Sequence, residues 1–313
     1  MVYVLALGAA FANALTSILQ RMAVEDAPDR ATLRLRLIAH ALKRGMWLAG
    51  FGIMILSFLM QALALHLGRL TQVQPILTTE LLFLVLLLGS SFGFRIGWKE
   101  WIGTIATAGG LAGFLIFASP GGGNVIPTAT EWVEVGLACL GAVVVSVLLA
   151  LRGSRWRRAA MFGTASAVGF AFTASLTKVA SGYAANDLVS VFRHWETYGI
   201  AVCGGASLFL AQNAFHAGPI AASQSTLVMV DPLASILIGV SLFGDQLRTS
   251  SPWGPLEALS LLVLFAGALV LCRSSLVRGV KGTGADDQIL LSVRWSARHR
   301  RPKGESPRMI SSG

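Results

Sequence analysis

Two acidic side chains stand out because of where they fall. Glu80 lies within a long apolar stretch, residues 66–89, and Asp231 lies within a second, residues 216–239. Each stretch is long enough to cross a bilayer, which puts both carboxyls near its midplane. An ionised carboxylate is costly there, and such groups usually face a cavity, a partner or an ion path. The chemistry open to them is proton binding and release, or capture of a cation. The structural alternative for Glu80 is a protonated carboxyl hydrogen-bonded to a neighbouring helix. For Asp231 it is a cap, because Pro232 deprives the carbonyl four residues back of its helical donor.

Amides gather around the same stretches. Gln72, Gln74 and Gln224 fall near their beginnings, Gln61, Gln212 and Asn213 precede them, and Asn13 and Gln20 lie in the first apolar segment. An amide both donates and accepts, so this set suits a polar substrate. It equally suits hydrogen bonds between helices. His66 and His216 sit at span ends with no second ligand at metal spacing and read as interface residues, so no metal ligands are assigned. Cys139, Cys203 and Cys272 fall in or beside apolar segments without CxxC spacing, which argues against a disulfide framework. No nucleophile elbow, phosphate loop or HExxH motif is present. Neither enzyme activity nor a cofactor is expected.

The two stretches are related to each other. A shift of 150 residues aligns 57–91 with 207–241 without a gap, and nine of the 35 positions are identical, including Ser57/Ser207, His66/His216, Gly68/Gly218, Gln74/Gln224 and Gly89/Gly239. A shorter likeness links LTSILQRMA at 15–23 with FTASLTKVA at 172–180. Internal repeats of this kind are common in secondary transporters.

Composition sets the environment. Charged residues make up 13% of the chain, hydrophobic ones 54%, and mean hydropathy is +0.68. Soluble domains carry about 25% charged residues. The chain therefore reads as an all-α polytopic membrane protein. Nine spans are expected, near 2–20, 46–67, 70–89, 101–118, 132–151, 159–179, 197–215, 219–243 and 256–271. Residues 23–45 read as an amphipathic interfacial helix, and 181–196 as a partly polar surface segment. The GGLAG run at 109–113 has GxxxG spacing, which lets helix backbones approach closely. Four units follow: a first repeat at 1–120, a connecting helix and loops at 121–158, a second repeat at 159–272, and a basic cytoplasmic tail at 273–313, read as disordered. The tail's QILLSVRW segment is a candidate for surface association.

Charge placement gives the orientation. With loops after odd-numbered spans on one side, that side holds 21 of the 25 Lys and Arg residues and the other holds Arg69, Lys178, Arg193 and Arg248. Basic loops stay in the cytoplasm, so the N-terminus is expected outside and the C-terminus inside the plasma membrane. The net charge of +10 is thus a topology signal and not a nucleic-acid footprint. With one span between them, the two four-helix repeats are inverted. The expected partners are the bilayer and a small-molecule or cationic substrate, and the reading leaves room for a homodimer.

With residues 46–120 in view, the chain resembles the drug/metabolite transporter superfamily, of the EamA-like kind. Within it, the chain is most similar to the NIPA-type magnesium transporters. That branch shows a WWxG start, a GExxNFxAYAFAPAxLVTPLG block and a GxxxCxxG-to-AP close. Trp47 and Gly50 match the start, Gln61 takes the Asn position, Val73-Gln74-Pro75 matches Val-Thr-Pro, and Ser119-Pro120 matches the close. Ala211-Gln212-Asn213-Ala214 is similar to the Gln-Leu-Asn helix of the family's second half. The likeness covers most of residues 1–272. The acid of GExxN falls on Phe58, a departure that bears on magnesium, a hard cation that favours carboxylates and water. The function expected is a secondary transporter working by alternating access about a midplane cavity. The alternatives are a magnesium or divalent-cation transporter and a non-transporting membrane scaffold.

Overall fold

The computed structural model describes residues 1–24, 45–90, 96–122, 127–152, 154–187, 189–218, 220–248, 250 and 252–274. The interfacial helix expected at 23–45 and the tail lie almost wholly outside them. Apart from a two-residue strand pair, the regular elements described are helical: α1 Val2–Val24, α2 Gly45–Leu67, α3 Leu70–Leu77, α4 Glu80–Ser90, α5 Trp98–Ala118, α6 Ala129–Leu151, α7 Arg155–Asn186, a 3-10 turn Ser190–Arg193, α8 Trp195–Ala217, α9 Ile220–Phe243 and α10 Trp253–Cys272. Strands β1 Gly121–Gly122 and β2 Asp245–Gln246 pair antiparallel. Among the described residues, eight helical segments are long and apolar enough to cross a membrane. Helix is what such a sequence must form in lipid, where each backbone amide needs a partner within its own segment. Many leucines, valines and phenylalanines lie exposed along α2, α6 and α8. Such a surface suits lipid and not water. The chain is an all-α protein with the helices of a polytopic membrane protein.

One expected span is not among those the described residues show, and one expectation needs correcting. The seventh expected span is the 23-residue helix α8, which is not among the eight. Glu196 and Thr197 at its start and Gln212 and Asn213 near its end lower its hydropathy. The sixth begins at Arg155 and runs to Asn186, so it is longer than expected and takes in 181–186, the start of the expected surface segment. No glycine pair or proline interrupts it, and Ser154 caps its start by accepting from the Arg157 amide at 3.4 Å. Helix α6 starts with a reciprocal cap: the Thr128 amide donates to Glu131 Oε2 at 2.7 Å, and the Glu131 amide donates to Thr128 Oγ1 at 3.3 Å.

The third span is broken. Pro75 lies inside α3 and cannot donate to the Thr71 carbonyl. The chain then turns at Thr78 and Thr79, whose hydroxyls donate to the carbonyls of Pro75 and Ile76, each at 2.6 Å. Glu80 opens the second half-helix, α4. In α9 the proline has no such effect, and the helix runs continuously through Pro232.

Packing follows from the small residues. Helix α5 lies against α10 along a row of glycines. A Cβ at Gly110 would meet the backbone of Leu264, one at Gly113 the Ser260 hydroxyl, and one at Gly267 the backbone of Thr107. Gly109 faces open space, so the GxxxG pair contributes only Gly113 to this seam. Glu100 accepts from the Ser274 hydroxyl at 2.8 Å, so the start of α5 meets the end of α10 and the two run antiparallel. Elsewhere α1 packs on α2, and α7 packs on α8 and α9. Ser57 shares its hydroxyl proton between the Ala9 carbonyl at 2.9 Å and Asn13 Oδ1 at 2.8 Å. Ser166 donates to the Ser207 carbonyl at 2.8 Å. The register pair Ser57/Ser207 thus sits at the α1–α2 and α7–α8 contacts respectively. Gly68 and Gly218 match in the same way. A Cβ on the first would strike Val2 at the start of α1, and one on the second the Arg155 carbonyl at the start of α7.

The glycine seam supplies a stability test. Gly110→Leu must push the two helix backbones apart and should cost about 1–3 kcal/mol, whereas Gly109→Leu should stay within about 0.5 kcal/mol of the parent. Thermal melting in detergent, followed by size-exclusion chromatography, reads both.

Candidate functional site

A cavity of about 600 Å³ lies among α1, α2, α3, α4, α7, α8 and α9. Helices from both sides of α6 in the chain therefore contribute to its wall. Six of the residues singled out from the sequence line it: Glu80, Asp231, Gln74, Gln224, Gln61 and Asn13. Among the described residues its charged lining groups are the two carboxyls. Glu80 is placed by the Pro75–Thr79 break, which starts α4 with the carboxyl in its first turn. Asp231 is placed by α9, and its Oδ1 accepts from the Ser235 hydroxyl at 3.4 Å, one turn on. The Asp231 carboxyl thus bonds past Pro232 within an unbroken helix, so there is no helix end for it to cap. Gln74 and Gln224 are 3% and 6% exposed, and neither side chain has a hydrogen-bond partner among the described residues.

The other candidates do not meet here. Gln72 is buried but off the wall. It lies two residues from Gln74, about 200° around the helix, so the two cannot share a face. In α8 the lining stripe is Ile200, Gly204, Leu208, Ala211 and Phe215, at helical spacing. Gln212 and Asn213 fall off that stripe: Gln212 is exposed, and Asn213 Nδ2 donates to the Phe209 carbonyl at 2.8 Å. The side chains of Gln20 and His216 lie outside the described residues. His66 is exposed at its helix end and does not line the cavity.

Sequence reading passed over the α7 wall. Phe170, Thr173, Ala174 and Thr177 line the cavity at spacings of three, one and three residues, a single helical face. That periodicity was the available signal. Phe58 and Phe215 add two further rings. Among the described residues no group of three or more His, Cys, Asp or Glu side chains could hold a metal ion.

Next to the lining residues of α3, contacts join the start of α3 to the chain after α9. Asp245 is 2% exposed. Its Oδ2 accepts from the Thr71 hydroxyl at 2.9 Å and the Thr71 amide at 3.2 Å. A Cβ at Gly239 would strike both Thr71 and that carboxylate, so a side chain there would force this contact open. Lys178 interacts electrostatically with Asp245, lies 4.8 Å from the Phe243 ring centroid and donates to the Gly68 carbonyl at 3.0 Å. Arg69 Nε donates to the Gly122 carbonyl at 2.6 Å beside the β1–β2 pair. The lining of α3 begins at Gln74 and that of α7 ends at Thr177, directly inside this cluster. The helix contacts are correspondingly one-sided: α2 packs on α7, but α1 and α8 touch at most marginally.

No family model matches this chain, and no solved structure matches it. It is similar to an uncharacterized protein of Corynebacterium glutamicum, 25% identical over 254 residues, which span 79% of this chain and 86% of that protein.

Asp245 is the acceptor that ties this cluster together. Asp245→Ala strands the Thr71 amide and hydroxyl, and should lower stability by about 1–3 kcal/mol. Asp245→Asn keeps an acceptor oxygen and should lose less. Melting temperatures of the two variants in one detergent decide it.

Proposed function

We propose that this protein is a secondary transporter of the plasma membrane in which two inverted four-helix repeats rock about the cavity. The observation that carries the reading is the cavity itself: it is walled by helices from both halves of the chain and bears two carboxyls as its charged groups. Transporter sites form at repeat interfaces near the midplane, often beside a discontinuous helix, and the α3–α4 break fits that pattern. The matched contacts of Ser57 and Ser207, the matched glycines Gly68 and Gly218, and the antiparallel α5–α10 seam support the repeat. In this reading α8 also crosses the membrane, which makes nine spans, the N-terminus is outside, and the basic loops are cytoplasmic. The Asp245 cluster then lies at the outer face, and the structure is the outward-closed state. Glu80 and Asp231 bind the coupling proton or a cationic substrate. A magnesium site draws no specific support, since Phe58 occupies the acidic position of the family pattern and no third acid among the described residues joins the two carboxyls.

Two experiments test this. In a background with the three native cysteines replaced by serine, cysteines at Ala129 and Ser250 should react with an impermeant reagent from outside intact cells, and one at Ser154 should not. The reverse pattern overturns the orientation. In proteoliposomes screened with labelled metabolites and metals, an imposed pH gradient should drive flux in the parent. Glu80→Gln cannot ionise, and should fold yet lose at least 90% of that gradient-driven flux, an order of magnitude or about 1.4 kcal/mol in rate terms. Full gradient-driven flux by folded Glu80→Gln removes Glu80 from the mechanism, and no flux of any solute by the parent sinks the transporter reading.

A further inference from the structure

The turn between α6 and α7 concentrates positive charge. Arg152, Arg155, Arg157 and Arg158 fall within seven residues, and all four are exposed. None of them makes an ion pair among the described residues. Helix α7 carries no acidic residue, and the acids of α6, Glu131 and Glu134, lie near its other end. Even Glu134 is 18 residues from Arg152, about 27 Å along a helix. The turn is also held in place. Ser154 caps α7, and a Cβ at Gly218 would strike the Arg155 carbonyl, so the α8–α9 link packs on the backbone here while the arginine side chains stay exposed.

Apolar surface adjoins this charge. Trp156 sits among the arginines and is 63% exposed. On α6, Val144, Leu148 and Leu151 are exposed as well, at spacings of four and three residues, which is one helical face leading to Arg152. Both helices are long and apolar enough to cross a membrane. Their junction then lies where they leave the bilayer, with Trp156 at the level of the headgroups and the face of α6 in the acyl layer.

Each feature narrows the partner. Guanidinium groups match phosphate oxygens in a bidentate fork. A free phosphate gains nothing from the indole or the leucines. A soluble acidic protein meets the charge but not an apolar face that lies within the hydrocarbon layer. A phospholipid with a net negative headgroup meets both, and basic clusters beside spanning helices attract such lipids.

We propose that the α6–α7 turn and the adjoining face of α6 bind one anionic phospholipid. The arginines hold its phosphate, the Trp156 indole lies in the headgroup region, and the acyl chains run along Val144, Leu148 and Leu151. This goes beyond the transport reading and rests only on α6 and α7 crossing the bilayer.

Lipid binding to the purified full chain tests it. Native mass spectrometry from a neutral detergent counts bound lipid during titration with dioleoylphosphatidylglycerol, with zwitterionic dioleoylphosphatidylcholine as the control. The first phosphatidylglycerol should bind about tenfold more tightly than phosphatidylcholine. Arg152→Gln with Arg155→Gln and Arg158→Gln should remove most of that preference. Arg193→Gln changes an exposed arginine just past the far end of α7 and should keep it. The basic tail is common to every protein compared. Leu148→Ser should weaken both lipids. Equal binding of the two lipids by the parent, an undiminished preference in the folded triple variant, or an equal loss in Arg193→Gln would each overturn the proposal. Displacement by millimolar inorganic phosphate would also overturn it, assigning the arginines to a free anion, and preferential capture of polyglutamate would assign them to an acidic protein. Should the triple variant aggregate, Arg158→Gln alone and the lipid comparison on the parent decide.

Discussion

Backbone polar groups in the hydrocarbon layer have no water to turn to, and that constraint shapes the site. Opening a helix at mid-membrane exposes carbonyls, so a break survives only where other donors reach them. The chain turns three residues after Pro75, where the amides and the hydroxyls of Thr78 and Thr79 both donate to the carbonyls of Pro75 and Ile76. The repair is local, and it lets Glu80 start a new helix beside the cavity. Asp231 reaches the same cavity by another route, on a helix whose proline leaves the rod intact. Two carboxyls in related segments are thus held by different backbone solutions.

The same constraint explains the glycines. Where two spans cross without a side chain between them, backbone meets backbone and dispersion replaces any hydrophobic drive. Gly110 and Gly267 make that approach in the α5–α10 seam, which lies away from the cavity. Gly239 makes it at the Asp245 cluster, where Thr71 and Asp245 occupy the space a Cβ would take. That contact joins segments that must separate if the two halves move.

Much of this was legible in the sequence, because hydropathy and register are one-dimensional properties. Spans, the Glu80 and Asp231 positions and the pairing of Gln74 with Gln224 follow from them. Phase around each helix was the missing dimension. Gln212 and Asn213 have the right chemistry and fall beside the lining stripe, and Gln72 points away because Gln74 points in. Thr173 and Thr177 sit in a segment already matched to the first span, yet their shared face shows only when spacing is counted. The Thr71–Asp245 bond joins residues 174 apart, and nothing in either segment's composition announces it.

Helix α6 makes its main contact with α7, and only Trp132, Ser146 and Ala150 of its 23 residues are buried. It contributes nothing to the cavity wall. Its consequence is one of parity. In the nine-span reading proposed above, with α3 and α4 counted as one span, four spans precede it and four follow, so a single added crossing decides which way the second set enters the membrane. With it, related segments insert upside down relative to each other. With none, or with two, they would insert the same way up, and the α5–α10 seam would have to form between parallel helices. In that reading, a helix with little to do in the packed interior sets the relative orientation of the two halves.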